Sequence, residues 1–133
     1  MTDSPIRFER VSSGAIWEGI VGYCRALRAG PFVFVTGTAP VDESGAGVHA
    51  PGDAYAQAAR CLVLIERALV GLGLDRSRIA RTRMFVTDIS RWREFGRAHA
   101  EFFGEHRPTT TMVEVKALID PAMLIEIEAD AVT

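Results

Sequence analysis

The run from Arg107 to Val115, RPTTTMVEV, sets three consecutive hydroxyl side chains ahead of a half-apolar segment. It reads as an exposed strand against which a small molecule binds, and the groups able to act on such a molecule are few. Asp42 to Gly47, DESGAG, fits neither the dinucleotide nor the P-loop pattern, and its glycines suit a turn. His99 and His106 are spaced to share a helix face, but no third ligand at suitable spacing accompanies them, so no metal site is expected. Ser12-Ser13-Gly14 is not a nucleophile elbow and has no evident His-Asp pairing. Cys24 and Cys61 lack C-x-x-C spacing and read as reduced packing thiols. Lys116 is the only lysine beside fourteen arginines, so a Schiff base would fall to it or to the terminal amine. No Asn is present, which removes glycosylation sequons. No cofactor is implied.

Two helices and six strands have to position these groups. Between Asp53 and Leu72 the apolar residues Ala54, Ala58, Cys61, Leu62, Ile65, Leu69 and Leu72 recur at helical spacing, with Asp53 as N-cap and Gly71 or Gly73 as stop. A second helix is expected from Arg91 to Glu105, with Trp92, Phe95, His99 and Phe102 on one stripe, Ser90 as N-cap and Pro108 marking its end. Strands are expected over 6–11, 24–29, 32–36, 79–87, 109–117 and 123–132, with Gly30-Pro31 as a tight hairpin and Asp120-Pro121 in a turn. One-sided helices among grouped strands imply an α+β sandwich, both helices on one face of a mixed sheet. In the Thr109 strand, Thr109, Thr111, Val113 and Val115 alternate with Thr110, Met112, Glu114 and Lys116. A face left uncovered in so small a domain meets another subunit, so self-association is expected.

Composition narrows the partners. At 133 residues, 48% hydrophobic and 24% charged, the chain fits one domain over 1–133. Its net charge of −2 comes from interspersed signs, which leaves no basic field for nucleic acid or anionic lipid. No apolar run approaches a membrane span and MTDSPIRFER has no apolar leader core, so a cytoplasmic protein is expected.

Gly22-Tyr23, Val35-Thr36-Gly37, Gln57, Phe85-Val86-Thr87-Asp88, Phe102-Phe103, the segment from Pro108 to Val115, and Glu126-Ile127-Glu128-Ala129 occur in this order along nearly the whole chain. Together they resemble the RidA/YjgF family of reactive-intermediate deaminases. The resemblance implies a chorismate-mutase-like α+β subunit, a homotrimer with clefts between neighbouring subunits, and hydrolysis of short-lived enamines and imines to a carbonyl compound and ammonia. It also implies site roles: Glu126 handles the proton of the attacking water, Tyr23 stands along the cleft wall, the Thr36-Gly37 turn offers backbone and hydroxyl contacts, and Thr110 to Met112 line the other side. Periodicity alone reads Glu126 as a solvated strand carboxylate.

One departure falls inside the opening stretch. Family members acting on aminoacrylate-like substrates carry Arg two residues after the Pro, where it clasps the substrate carboxylate; here that position is Thr110. A charge-assisted hydrogen bond contributes on the order of 1.5–3 kcal/mol, so the substrate is expected to lack that carboxylate or to bind it differently. The family's cleft Asn is replaced by Gly96, and its frequent strand Cys by Met112. Trp17 and Glu18, just ahead of Gly22-Tyr23, offer an aromatic wall and a second carboxylate, against the plainer reading of a surface loop. Arg25, Arg81 and Arg83 are candidates for a displaced cation, against solvated or salt-bridged roles; His99 divides similarly between proton shuttle and packing. Three readings stand: an imine or enamine hydrolase, a non-catalytic small-molecule-binding trimer of the same fold, and a chaperone-like or ribonuclease-like activity of the kind ascribed to some relatives, the lack of a basic patch arguing against the ribonuclease version.

Overall fold

The computed structural model describes residues 5–133. Six strands form one sheet: β1 (Phe8–Val11), β2 (Ala26–Ala29), β3 (Phe32–Thr38), β4 (Ile79–Val86), β5 (Thr109–Glu114) and β6 (Ile125–Val132), in the order β1-β2-β3-β6-β4-β5. All neighbours are antiparallel except β4 and β5. The sheet is therefore mixed, as expected. Gly30, at φ +61, supplies the left-handed residue that lets a two-residue turn join Ala29 to Phe32.

The long helix α2 (Ala54–Val70) is capped by Asp53, whose side chain accepts from the Ala56 amide, and it stops at Gly71. Its apolar stripe, including Cys61, Leu62, Ile65 and Leu69, is wholly removed from water. Each large aliphatic side chain so buried contributes about 1.5–3 kcal/mol. The partners are the inward residues of the sheet, among them Val33, Val35, Ile79, Val86, Ile125 and Ile127. Gln57, buried in this stripe, accepts from the Leu124 amide at 2.8 Å and donates to the Ala122 carbonyl at 2.9 Å, which ties α2 to the entry of β6.

Helix α3 (Trp92–Phe103) packs beside α2 on the same face, and three details differ from expectation. Asp88, not Ser90, is the capping acceptor: it receives the Ser90 amide and heads a short 3-10 turn that runs into the helix. The buried stripe is Phe95, Ala98, His99 and Phe103, while Trp92 in the first turn is exposed with the Arg93 guanidinium over its ring. The helix ends at Gly104, before His106, so the two histidines do not share a helix face. Each is used locally: His106 Nε2 lies 2.7 Å from the Ile79 carbonyl oxygen, and His99 Nε2 lies 2.8 Å from Thr82 Oγ1.

A third helix was not anticipated. Ile16–Val21, for which a surface loop was the plainer of two expectations, forms the short helix α1, closed by Gly22 at φ +87. No helix among the described residues is long and apolar enough to cross a membrane.

Candidate functional site

The sheet has one covered face and one open face. On the open face β6 presents Glu126, Glu128 and Asp130, because Ile125, Ile127, Ala129 and Ala131 between them point into the core. Register places Phe85 and Arg83 of β4 beside Glu126 and Glu128, and Phe34 of β3 beside Asp130. Arg25 extends the same face just ahead of β2, its carbonyl accepting from the Thr36 amide.

Glu126 owes its position to Gly37. The β3–β6 register shifts between Val35 and Thr38, so Thr36 and Gly37 belong to a bulge inside β3 and not to a turn after it. A Cβ built on Gly37 would lie 2.2 Å from Glu126 Oε1. Only glycine lets the carboxylate rest against the β3 backbone. Burial there raises the Glu126 pKa above its ordinary value; the Arg25 charge opposes this and Glu128 adds to it, and the net direction is up. A carboxyl held this way has its proton affinity shifted toward neutrality.

On the same face a recess of about 770 Å³ is bounded by Glu18, Tyr23, Thr36, Glu128, Asp130 and Arg10, among others, while Glu126 and Gly37 are not among its walls. Tyr23 reaches it because Gly22 turns the chain out of α1, with the Tyr23 amide still bonded to the Glu18 carbonyl. Glu18 is buried, at 7% exposure, and its carboxylate accepts from the hydroxyls of Ser12 and Ser13 and the Ser13 amide. Burial raises its pKa, but those hydroxyls, the amide and the Arg25 charge outweigh burial, so it is held below the usual range. Its hydrogen bonds fasten α1 to the segment after β1, which accounts for the carboxylate without a ligand. Trp17, 49% exposed on α1, is not among the walls of the recess.

Thr110 and Met112 lie on the other face. Met112 pairs with buried Met84 and packs against the core, and Thr110 Oγ1 is 2.7 Å from Thr82 Oγ1, which bridges to His99. Burial lowers the His99 pKa, as suits a neutral packing histidine whose ring lies tilted against Phe103, 4.6 Å between centres. Thr110 borders a second recess of about 380 Å³ with His99, Phe103, Arg107 and Pro108. The candidates from sequence thus fall into two groups on opposite faces: Tyr23, Thr36, Gly37 and Glu126 on one, Thr110 and Met112 on the other.

The remaining nucleophiles are placed as follows. Cys61 is wholly buried, which pushes its thiol pKa far up, and both cysteines are free. Lys116 is exposed, and the Met1 amine lies outside the described residues. The 42–47 loop folds on itself, Asp42 Oδ1 accepting the Ser44 and Gly47 amides.

Comparison with known proteins gives a consistent set. Residues 15–133 match the family model described as endoribonuclease L-PSP. The chain is 34% identical to an uncharacterized protein of Streptomyces coelicolor, over 98% of this chain and 95% of that one. It is 34% identical to the 3-aminoacrylate deaminase RutC of Acinetobacter baylyi, over 82% of this chain and 85% of that one. Among solved structures, a Mycobacterium tuberculosis member of the highly conserved YjgF family superposes with a TM-score of 0.86 at 48% identity, covering 96% of this chain and 100% of that one.

Proposed function

Because the chain belongs to the endoribonuclease L-PSP family, the RidA/YjgF proteins, which includes reactive-intermediate deaminases, we propose that it hydrolyses small imines and enamines to a carbonyl compound and ammonia at a site shared between copies of the chain. The observation that carries this reading is Glu126, a partly buried carboxyl of raised pKa seated against Gly37, on the sheet face where Thr36 and Glu128 line a recess.

An imine carbon is already electrophilic, so the chemistry asks for a positioned water and a group that moves protons. Glu126 takes a proton as the water oxygen bonds to the imine carbon, and returns it to the nitrogen. The carbinolamine hydroxyl then gives its proton to Glu126, which passes it to the amino nitrogen as the C=O bond forms and the C–N bond breaks, so that ammonia leaves with the bonding electron pair. For an enamine, protonated Glu126 first delivers its proton to the β-carbon. The backbone at Thr36-Gly37 and the Tyr23 ring hold the substrate in register.

Two groups on opposite faces of one sheet cannot touch one small ligand within a single chain. A second copy set against the open face brings its own Thr110–Met112 edge to Glu126, which supports a closed trimer. Exposed Phe8, Phe32, Phe34 and Val113 on that face, and Ile16, Ile20 and Val21 on α1, favour burial of the same surface. The opposed charges on this face do not favour a polyanion: Arg81 pairs with Asp130, and Arg83 with both Glu128 and Asp130.

The test is a panel of freshly generated imines, followed by carbonyl and ammonia release with and without the protein, together with mass by sedimentation. Acceleration of at least one imine by a species of three times 14.5 kDa is expected. A panel hydrolysed no faster than in buffer, with a small molecule still bound in a Tyr23- and Glu126-dependent way, would favour the non-catalytic binding trimer.

A further inference from the structure

Thr110 leaves the proposed site without the cation that would receive an anionic substrate, and the arginines of the open face differ in their freedom to replace it. Arg81 and Arg83 are committed to Asp130 and Glu128. Arg10 lies over the Phe8 ring, 5.5 Å from its centre. Among the described residues, Arg25 alone on this face combines a fixed guanidinium with an unused edge.

Its Nη1 donates to Thr38 Oγ1 at 2.9 Å and to the Gly37 carbonyl at 3.3 Å, and Thr38 in turn donates to the Thr36 carbonyl. Those bonds attach the guanidinium to the bulge against which Glu126 rests. Nε is screened from solvent and meets no acceptor among the described residues, and Nη2 makes no hydrogen bond there either. Arg28 also has an unpartnered Nε, but its Nη atoms already reach Glu9 and the Leu72 carbonyl. Nε and Nη2 form the side of the guanidinium that accepts a carboxylate through two parallel bonds. A buried donor without an acceptor is costly, so a group that supplies one is favoured there.

Building on the hydrolase reading, we propose that Arg25 binds the carboxylate of a short 2-imino acid through Nε and Nη2, taking the part that Thr110 does not play and setting the imine carbon beside Glu126. The half-buried Tyr23, its ring centre 5.9 Å from the guanidinium carbon, flanks the subsite. Nε is covered by the surrounding atoms, so the second bond forms after a small side-chain movement as the ligand enters. The substrate class is therefore anionic, with its charge held on the Glu126 face.

Two arms test this. In the first, binding of pyruvate and of its neutral amide is measured by calorimetry on the wild-type protein and on Arg25→Gln, Arg25→Lys, Arg107→Gln and Arg78→Gln, with mass and melting temperature checked for each. Pyruvate is expected to bind at least about 10-fold more tightly than the amide, and Arg25→Gln to weaken it about 10- to 100-fold. Arg25→Lys keeps the charge without the fork and should fall between, while Arg78→Gln binds as wild type. Equal binding of acid and amide, or a loss that follows Arg107→Gln and not Arg25→Gln, overturns the assignment; the latter places the anion in the recess beside Thr110. In the second arm, 2-iminopropanoate hydrolysis should lose kcat/KM in Arg25→Gln chiefly through KM, with neutral imines unaffected. Binding that depends on Arg25 without any imine hydrolysis sinks the hydrolase reading and keeps the subsite. Glu126-dependent hydrolysis indifferent to Arg25 does the reverse.

Discussion

The two faces of the sheet use the same strands for opposite ends. Beneath α2 and α3 the strands contribute Val33, Val35, Val86, Ile125 and Ile127, and the polar groups buried among them, including Gln57 of α2, His99 of α3 and Thr82 of β4, have hydrogen-bond partners. On the open face the same strands carry Glu126, Glu128, Asp130, Arg83 and Phe34, half-buried or exposed, and Arg25 has a donor with no acceptor. One face is closed in its own terms, whereas the other leaves charged and aromatic side chains uncovered. A strand of alternating residues can supply a stable core and a reactive surface together because the two sets do not touch.

Substitutions on the open face should therefore change function with little loss of fold, and those beneath the helices the reverse. The largest effect is expected for Glu126→Gln, which keeps the shape and removes the proton acceptor: imine turnover should fall roughly 100-fold or more. Circular dichroism and the trimer mass should not change. On the covered face, Gln57→Leu strands the Ala122 carbonyl and the Leu124 amide, so denaturant unfolding should report a loss of about 2–3 kcal/mol. Gly37→Ala tests the contact between the strands: its Cβ collides with the movable end of Glu126, so the carboxylate shifts while the backbone stays. Turnover should drop about 10-fold, with melting temperature nearly constant.

The smallest effect has a defined sign. The folded-state pKa of Glu126 is raised by burial above its unfolded value. As pH rises from the usual carboxylate range through the folded value, the unfolded chain releases its proton first, and stability is lost. Glu126→Gln should thus melt slightly higher than wild type at pH 7 and equally below about pH 4. A lower melting temperature at pH 7 would mean that the carboxylate is a structural partner and not a strained functional group.

Much of the covered face was legible because its signals are redundant: seven apolar residues at helical spacing identify α2, and Ile125-Glu126-Ile127-Glu128 fixes which side of β6 is inward. The α1 segment was not, since Ile16, Trp17, Ile20 and Val21 surround a six-residue helix too short to show a period. Parity of β5 was also hidden. Val113 and Val115 are as apolar as Met112, and this edge strand is largely exposed on both sides, so the separation of Thr110 from Glu126 needed the cross-strand pairing of Thr110 with Thr82. Sequence named Arg25, Arg81 and Arg83 together as possible cations. The ion pairs of Arg81 and Arg83 with Glu128 and Asp130, and the unpartnered Nε of Arg25, separate them.

The central claim, that one catalytic site draws Glu126 from one copy and the Thr110 edge from another, is tested most directly by mixing. Glu126→Gln and Thr110→Trp, the second filling the recess beside His99, should each be inactive alone. Refolded together in equal amounts, random pairing restores both intact halves to about a quarter of the sites, so imine hydrolysis should return to about a quarter of the wild-type rate. A mixture that stays as inactive as its components, while forming mixed trimers, would contradict the shared site.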